Sequence, residues 1–533
     1  MSRLRALLLV TTILPIAACS GANDIASPGE GVIVVPSPTP TPPTTPSPPT
    51  VPPGTPAAAC PTIEGVTDAG TSGAFRLCRL PTSITTDRRL TRVNNLAYVI
   101  DGRVDVGIDL GGANAPNATG RSAILTIDPG VIIVANSGDA TNDLMVVNRG
   151  SRINAEGTPT QPIIFTAREN TTGNVSDTTQ GLWGGVILAG RAPTSDCSTT
   201  AGSTSLVGGS AGCQNIVEGT GNVAYGGEVA NDSSGTFRYV QIRYSGTAIS
   251  AGNELQGLTT GSVGRGTTID HVQVHNSADD GVEIFGGTGN YRYLVVTGSD
   301  DDDFDTDFGY NGSIQFVLGI KRTGNGSSDP RNLEADSNNN REAAPRQFLR
   351  LANFTFIQPL NFESLFIRGG ADATLVNGIV RGLGTGACLN IDHPETIRAA
   401  TNAPPADPAS GVVAANRGPP VFSSVVFECA SQYRDDGNIT AAEIQAVFTA
   451  GTNNNAAATN VVTNTYFPGT GATGVTAFNA AMLNPAGESF LVTTNFIGAV
   501  STSNQAEFQG WTCNSGYAGF GSTSASCTSL PSV

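Results

Sequence analysis

The chain has 533 residues and a formal net charge of −16, an acidic balance that argues against nucleic acid or an anionic membrane face as partner. Hydrophobic residues at 39% together with 65 glycines exclude a disordered chain and indicate an ordered, turn-rich, β-biased one. Length alone suggests several domains, but a solenoid escapes that expectation because it grows by adding turns.

Arg3 and Arg5 precede an apolar run over residues 6–16 that is too short to span a membrane and has the shape of a signal peptide. It ends in Ile16-Ala17-Ala18-Cys19, which resembles the lipobox of bacterial lipoproteins. That resemblance implies a signal peptide over 1–19, lipidation of Cys19, a lipid bilayer as partner and, with Ser20 next, transfer to the outer membrane. Residues 20–59 are rich in Pro and Thr and cannot form a core, so they act as a semi-rigid spacer of roughly 3 Å per residue. Setting Cys19 aside leaves eight cysteines in four sequence-local pairs: Cys60 with Cys78, Cys197 with Cys213, Cys388 with Cys429, and Cys513 with Cys527. Eight cysteines allow on the order of a hundred pairings, so local pairing is an expectation that an oxidising compartment supports.

Residues 60–95 are expected to cap a solenoid that occupies 96–428. Its first turns are Ala123-Ile124-Leu125-Thr126-Ile127, Val131-Ile132-Ile133-Val134, Leu144-Met145-Val146-Val147 and Pro162-Ile163-Ile164-Phe165-Thr166, broken by Pro-Gly, Arg-Gly and Glu-Gly-Thr corners. No amphipathic helix of useful length lies between Asn95 and Glu428. The repeat is clearest over 269–320, where Asp279, Asp280 and Glu283 recur 22 residues later as Asp301, Asp302 and Asp305. A repeat of that length, made of short β-branched runs between Gly, Asn and Asp, predicts an all-β fold, a right-handed parallel β-helix of roughly ten turns.

Alternation places Val282, Ile284, Phe304 and Thr306 on one face and the carboxylates on the other. Successive turns then stack Glu283, Asp305 with Asp307, Glu334 with Asp336, Arg368, and Asn390 with Asp392 on the outside. At the strand spacing of a sheet, two ionised carboxylates repel by roughly 3–4 kcal/mol at an effective dielectric near 20. A hard cation such as Ca²⁺, the Arg368 guanidinium, or partial protonation must answer that repulsion.

The string INAEGTPTQPIIFTA, then GLWGGVILAGRAP, GTFRYVQIRYSG, the Asp-rich turns, and the closing NFIGAV and GWTCNS resemble a family of bacterial envelope lipoproteins with parallel β-helices. The likeness runs from about Ala123 to Ser515 and implies fold and location, not an activity. A more distant, fold-level resemblance to pectate lyases implies a mechanism. Calcium on Glu283, Asp305, Asp307, Glu334 and Asp336 would neutralise a uronate carboxylate, and Arg368 or Lys321 would remove the C5 proton in a β-elimination. None of the lyase sequence motifs is present. Polygalacturonases, of the same fold, carry an Asp pair similar to Asp279-Asp280, but their Gly-His-Gly-type segment is missing here.

Further ligand-binding candidates are Asp279, Asp280, Asp301, Asp302, Asn390, Asp392 and Trp183, the last as a sugar-stacking ring, although a Trp between strands and Gly more often packs a core or corner. His271 and His275 share a strand face and default to neutral strand histidines, while His393 lies near the ladder's last turn. The loop 192–220 reads as a decoration closing over one edge. Asp436-Gly437-Asn438-Ile439 with Glu443 resembles half of an EF-hand loop, yet Thr440-x-x-Glu443 reads better as the capping box of a short helix ending at Gly451, inside a C-terminal cap over 429–533. Together these readings describe an outer-membrane lipoprotein that binds or displays an extracellular ligand, a polysaccharide foremost, on an acidic face suited to calcium. The alternatives are a calcium-dependent polysaccharide lyase, a glycoside hydrolase, or a purely structural envelope protein. An outer-membrane uptake protein is a further candidate partner.

Overall fold

Short β-branched runs between glycine and asparagine corners cannot bury both faces alone, so each turn stacks on the next. The computed structural model describes residues 54–532 apart from 114, 138–141, 251–252, 325, 328, 401–415 and 503–505. The expected export signal, Cys19 and most of the Pro-rich linker fall outside the described residues. Within them the chain winds a parallel β-helix, as expected.

One sheet of eleven strands runs from Ser83–Ile84 through Val282–Phe285, Phe304–Asp307, Leu333–Ala335, Leu365–Ile367 and Ala387–Ile391 to Ser431–Tyr433. Its register places Val282, Phe304, Leu333, Leu365 and Leu389 in one buried column. Each such side chain contributes roughly 1.5–3 kcal/mol by leaving water, and a one-residue slip would turn the whole column outward.

The second sheet has fifteen strands. Early turns contribute two short strands each, but Gly235–Arg243 pairs with Arg152–Glu156 through its first half and with Ile163–Ala167 through its second, and later turns continue it as single bent strands. At each bend one residue is left out of the pairing: Tyr239, His271, Tyr293, Phe316, Asn353, Asn377 and Ser424, with φ between 50° and 63°. A left-handed backbone costs a residue with a Cβ about 1–2 kcal/mol. Ring stacking down the column offsets that cost, with centroids 4.3 Å apart for Tyr239 and His271, 4.2 Å for His271 and Tyr293, and 4.7 Å for Tyr293 and Phe316.

The two ends differ from the expected caps. Phe75–Arg79, Ser83–Ile84 and Arg88–Leu90 already pair in parallel with the following turn, so residues 60–95 hold a full turn and only the antiparallel Thr67–Ser72 lies outside it. At the far end Ser431–Tyr433 still pairs with Ala387–Ile391. Helix Ala441–Thr449, opened by the expected Thr440/Glu443 capping box, then stacks Phe448 on Phe427. Asn455 still pairs with Val426, but the described residues from 459 on do not stay with that cap. They return along the outside of the fifteen-strand sheet, whose Val295, Leu318, Ile357, Ile379 and Val426 need an apolar cover and find it in Val461, Tyr466, Ile497, Phe508 and Trp511. Amide side chains of the bent strands hold this strap: Asn377 donates to Phe478 O, Gln315 to Val492 O, Gln273 to Cys513 O and Gln241 to Trp511 O. The buried Arg243 ends the series by donating to Cys527 O and Ser529 O. All four local disulfides are present.

Candidate acidic site

Parallel register builds the site column by column. Glu283 pairs with Asp305, Asp305 with Glu334, Glu334 with Phe366 and Phe366 with Asn390. Two residues further along each turn come Phe285, Asp307, Asp336, Arg368 and Asp392. Phe366 thus takes the first-column place on Arg368's turn, and Arg368 stands in the second. A third column lies at the corner before each strand: Asp280 Oδ1 accepts from Asp302 N at 2.8 Å, and Asp302 Oδ1 from Arg331 N at 2.6 Å.

The acids were expected to stand out in solvent; they lie in a recess instead. Glu283 is only 6% exposed, and Asp280, Asp302, Glu334 and Asp336 are equally buried. The cause is the insertion that precedes the ladder. Its Tyr225 stacks on Phe285 with centroids 5.9 Å apart, and its Glu218 accepts from Gln256 at 2.6 Å, which walls the recess on its N-terminal side. Opposite, Arg331 lies over the Phe366 ring at 4.2 Å.

Burial dominates the electrostatics. It pushes Asp280, Glu283, Asp302, Asp305 and Asp307 well above the usual carboxylate range, and neighbouring acids push them further. Asp279 rises to about 8 through burial, then Asp301 and Glu218, and Glu218 to about 7 through burial, then Glu254. Two sets of carboxylates, Asp279 with Asp280 and Asp301, and Asp280 with Glu283 and Asp305, bring oxygens within 4.8 Å of one another. Glu283 Oε2 and Asp305 Oδ1 are buried with no hydrogen-bond partner.

The remaining candidates separate sharply. Glu334 meets Arg331 and Arg368, both at 2.7 Å, and Asp336 meets Arg368 at 3.0 Å, so these two expected metal ligands already have cations. Arg368 is 38% exposed but pinned between them; burial would lower its pKa, yet Glu334 and Asp336 outweigh this and raise it. Lys321, the other expected base, is wholly interior. Trp183 is interior too, donating from Nε1 to Arg243 O at 2.9 Å, and so offers no sugar platform. Asp301 accepts from Ser327, Asp392 accepts from Asn438, and Asn390 is buried with Oδ1 unpartnered. His275 is buried and its pKa falls to about 3 through burial, with Arg243 and Arg322 adding to it, so it stays neutral. His271 belongs to the aromatic column, and His393 accepts from Gly369 N at 3.1 Å. Asp436 accepts from Asn438 N at 3.1 Å, a turn that starts the helix and no calcium loop.

Arg331, Glu363 and Glu218 escaped the sequence reading. Arg331 could have been found, since it precedes Leu333 by two residues as Asp302 precedes Phe304 and Asp280 precedes Val282. Glu218 comes from an insertion with no repeat register and left no such signal.

A family model described as "Pectate-lyase like beta helix domain" matches residues 113–469. No curated protein and no solved structure matches the chain.

Proposed function

We propose, on the premise that the chain belongs to the pectate-lyase-like β-helix family, that it is a binding protein that holds an acidic polysaccharide through calcium on this face. The observation that carries the reading is the pair of buried, orphaned oxygens, Glu283 Oε2 and Asp305 Oδ1, in an all-carboxylate set with Asp280. Leaving a charged group unsatisfied in the interior costs upward of 1–3 kcal/mol, and a hard cation that accepts roughly six to eight oxygens answers it. Asp280, Glu283 and Asp305 would hold the ion, with Asp279 and Asp301 beside them. Calcium supplies charge neutralisation there, letting the carboxylates of a uronate chain approach an otherwise repelling face. We place the protein at the outer membrane, tethered through Cys19 and held off the bilayer by its Pro-rich segment, where delivery to an uptake protein is a natural role.

Calorimetric titration of polygalacturonate and alginate into the calcium-loaded protein tests this. Binding that disappears with EDTA and in Glu283→Gln/Asp305→Asn supports it; binding indifferent to both sinks it. The β-elimination alternative lacks a free base at either expected position, and appearance of unsaturated product in the same mixtures would revive it.

A further inference from the structure

Lys321 is the sole lysine in the sequence, and it is not on the surface. Its side chain is fully buried, as is that of Asp303, whose Oδ1 lies 3.4 Å from Lys321 Nζ. The second oxygen of that carboxylate accepts from Asn332 Nδ2 at 2.6 Å, and Asn332 Oδ1 in turn accepts from Ser364 Oγ at 2.8 Å. One buried carboxylate therefore touches both an amine and a carboxamide. The space for this meeting is specific. Gly319 has ordinary backbone angles, yet a Cβ there would come within 2.6 Å of Asp303 Oδ2 and 3.3 Å of Asn332 Nδ2.

A simpler role for Lys321 is to tie the corner, since it also donates to Ser299 Oγ at 2.8 Å and to the Asp301 carbonyl. That job does not need a cation. The next turn does it with a neutral amide, where Gln358 Nε2 donates to Pro330 O at 2.9 Å. A buried ammonium is a costly substitute for an amide, and an ion pair buried this deeply often contributes no net stability.

We propose that Lys321 and Asn332 become joined by an intramolecular amide bond, formed in the folded chain with Asp303 relaying the proton. Lys321 Nζ attacks Asn332 Cγ, and the Ser364 hydroxyl donates to the oxygen that gains charge in the tetrahedral adduct. Asp303 takes the proton from the attacking nitrogen and delivers it to the departing one, which leaves as ammonia. One C–N bond forms, one breaks, and no oxidant or co-reactant is consumed. The product staples the corner before Leu333–Ala335 to the end of Ser313–Ile320.

Intact mass of the full chain, denatured and with its disulfides reduced, is the test. The expected mass is one ammonia below that calculated for the isolated polypeptide, and trypsin should release residues 293–322 joined to residues 332–341. Because Lys321 has no rival, an amine-reactive reagent in denaturant should label no side chain at all. A folded protein at the calculated mass, with Lys321 labelled in denaturant, overturns the proposal, and so does loss of water with Lys321 joined to Asp303. Asp303→Asn should restore the full mass and the label; if it still cross-links to the same extent, the relay is wrong. Should that variant fail to fold, the wild-type mass decides alone.

Discussion

Two adjacent stretches of one face, a single turn apart, solve the same electrostatic problem differently. On Leu333–Ala335 and Leu365–Ile367 and their corners, Glu334, Asp336 and Glu363 are neutralised by Arg331, Arg368 and Arg434. On Val282–Phe285 and Phe304–Asp307 and their corners, none of Asp280, Glu283 or Asp305 has an ion-pair partner among the described residues, although Asp280 and Glu283 are as deeply buried and Asp305 is half-buried. Stacked acids are therefore not in themselves a binding site. The half that the protein pairs with arginines is architecture, and the half it leaves without cations is where the proposed ion would sit.

Breaking the neutralised half should have the largest effect. Arg331→Ala leaves Glu334 and Glu363 short of a guanidinium whose side chain is 6% exposed, and should cost about 3–5 kcal/mol in chemical unfolding. A cost below about 1 kcal/mol would mean that the pairing is incidental. Arg368 is more exposed and its loss is screened by solvent, so Arg368→Ala should cost less, about 1–2 kcal/mol. It should leave the calcium response in place, whereas a lyase base would be lost with it.

The open half should respond to the ion itself. Calcium at about a hundred times its dissociation constant contributes about 2.7 kcal/mol, a rise in melting temperature of about 3 °C that EDTA reverses. In EDTA, Glu283→Gln/Asp305→Asn should melt above the wild type, because repulsion is relieved, and should ignore calcium. A wild type that also ignores calcium would place this half with the other as architecture.

Protonation is the smallest lever and acts on the open half. Asp279 at about 8 and Glu218 at about 7 sit above their ordinary values of 3.8 and 4.5, so the folded chain binds more protons than the unfolded one. Their contribution is complete below about pH 4 and is lost as pH rises through 7 to 8. Without calcium the protein should therefore melt a few degrees higher at pH 5.5 than at pH 8.5. Calcium should flatten that slope, because the ion takes over from the proton. An unchanged slope with and without calcium would detach the two effects.

The 22-residue recurrence of Asp279, Asp280 and Glu283 as Asp301, Asp302 and Asp305 sufficed to read the parallel register, since a side-chain period of two leaves no other way to bury Val282, Ile284, Phe304 and Thr306. The same rule placed Glu334 and Asp336 beside Arg368. It failed at Lys321 and Trp183, polar or amphipathic residues that follow or precede strands, because at a corner alternation no longer says which way a side chain turns. It failed again over the C-terminal strap, whose short runs carry no period because, apart from two-residue ladders such as Val462–Thr463 with Phe467–Pro468, the strap is held to the sheet by side-chain amides.

By itself, then, the sequence determined what is local and periodic: the β-helix, its register, the carboxylate columns and the near-neighbour disulfides. Only the tertiary structure decided which acids were left without cations, that an unrepeated insertion would wall them into a recess, that the C-terminal segment would cover the far sheet, and that the one lysine would meet Asp303 and Asn332 in the interior. Those outcomes depend on contacts between segments up to several hundred residues apart, such as Gln241 with Trp511, and no repeat length encodes a contact between segments that do not repeat.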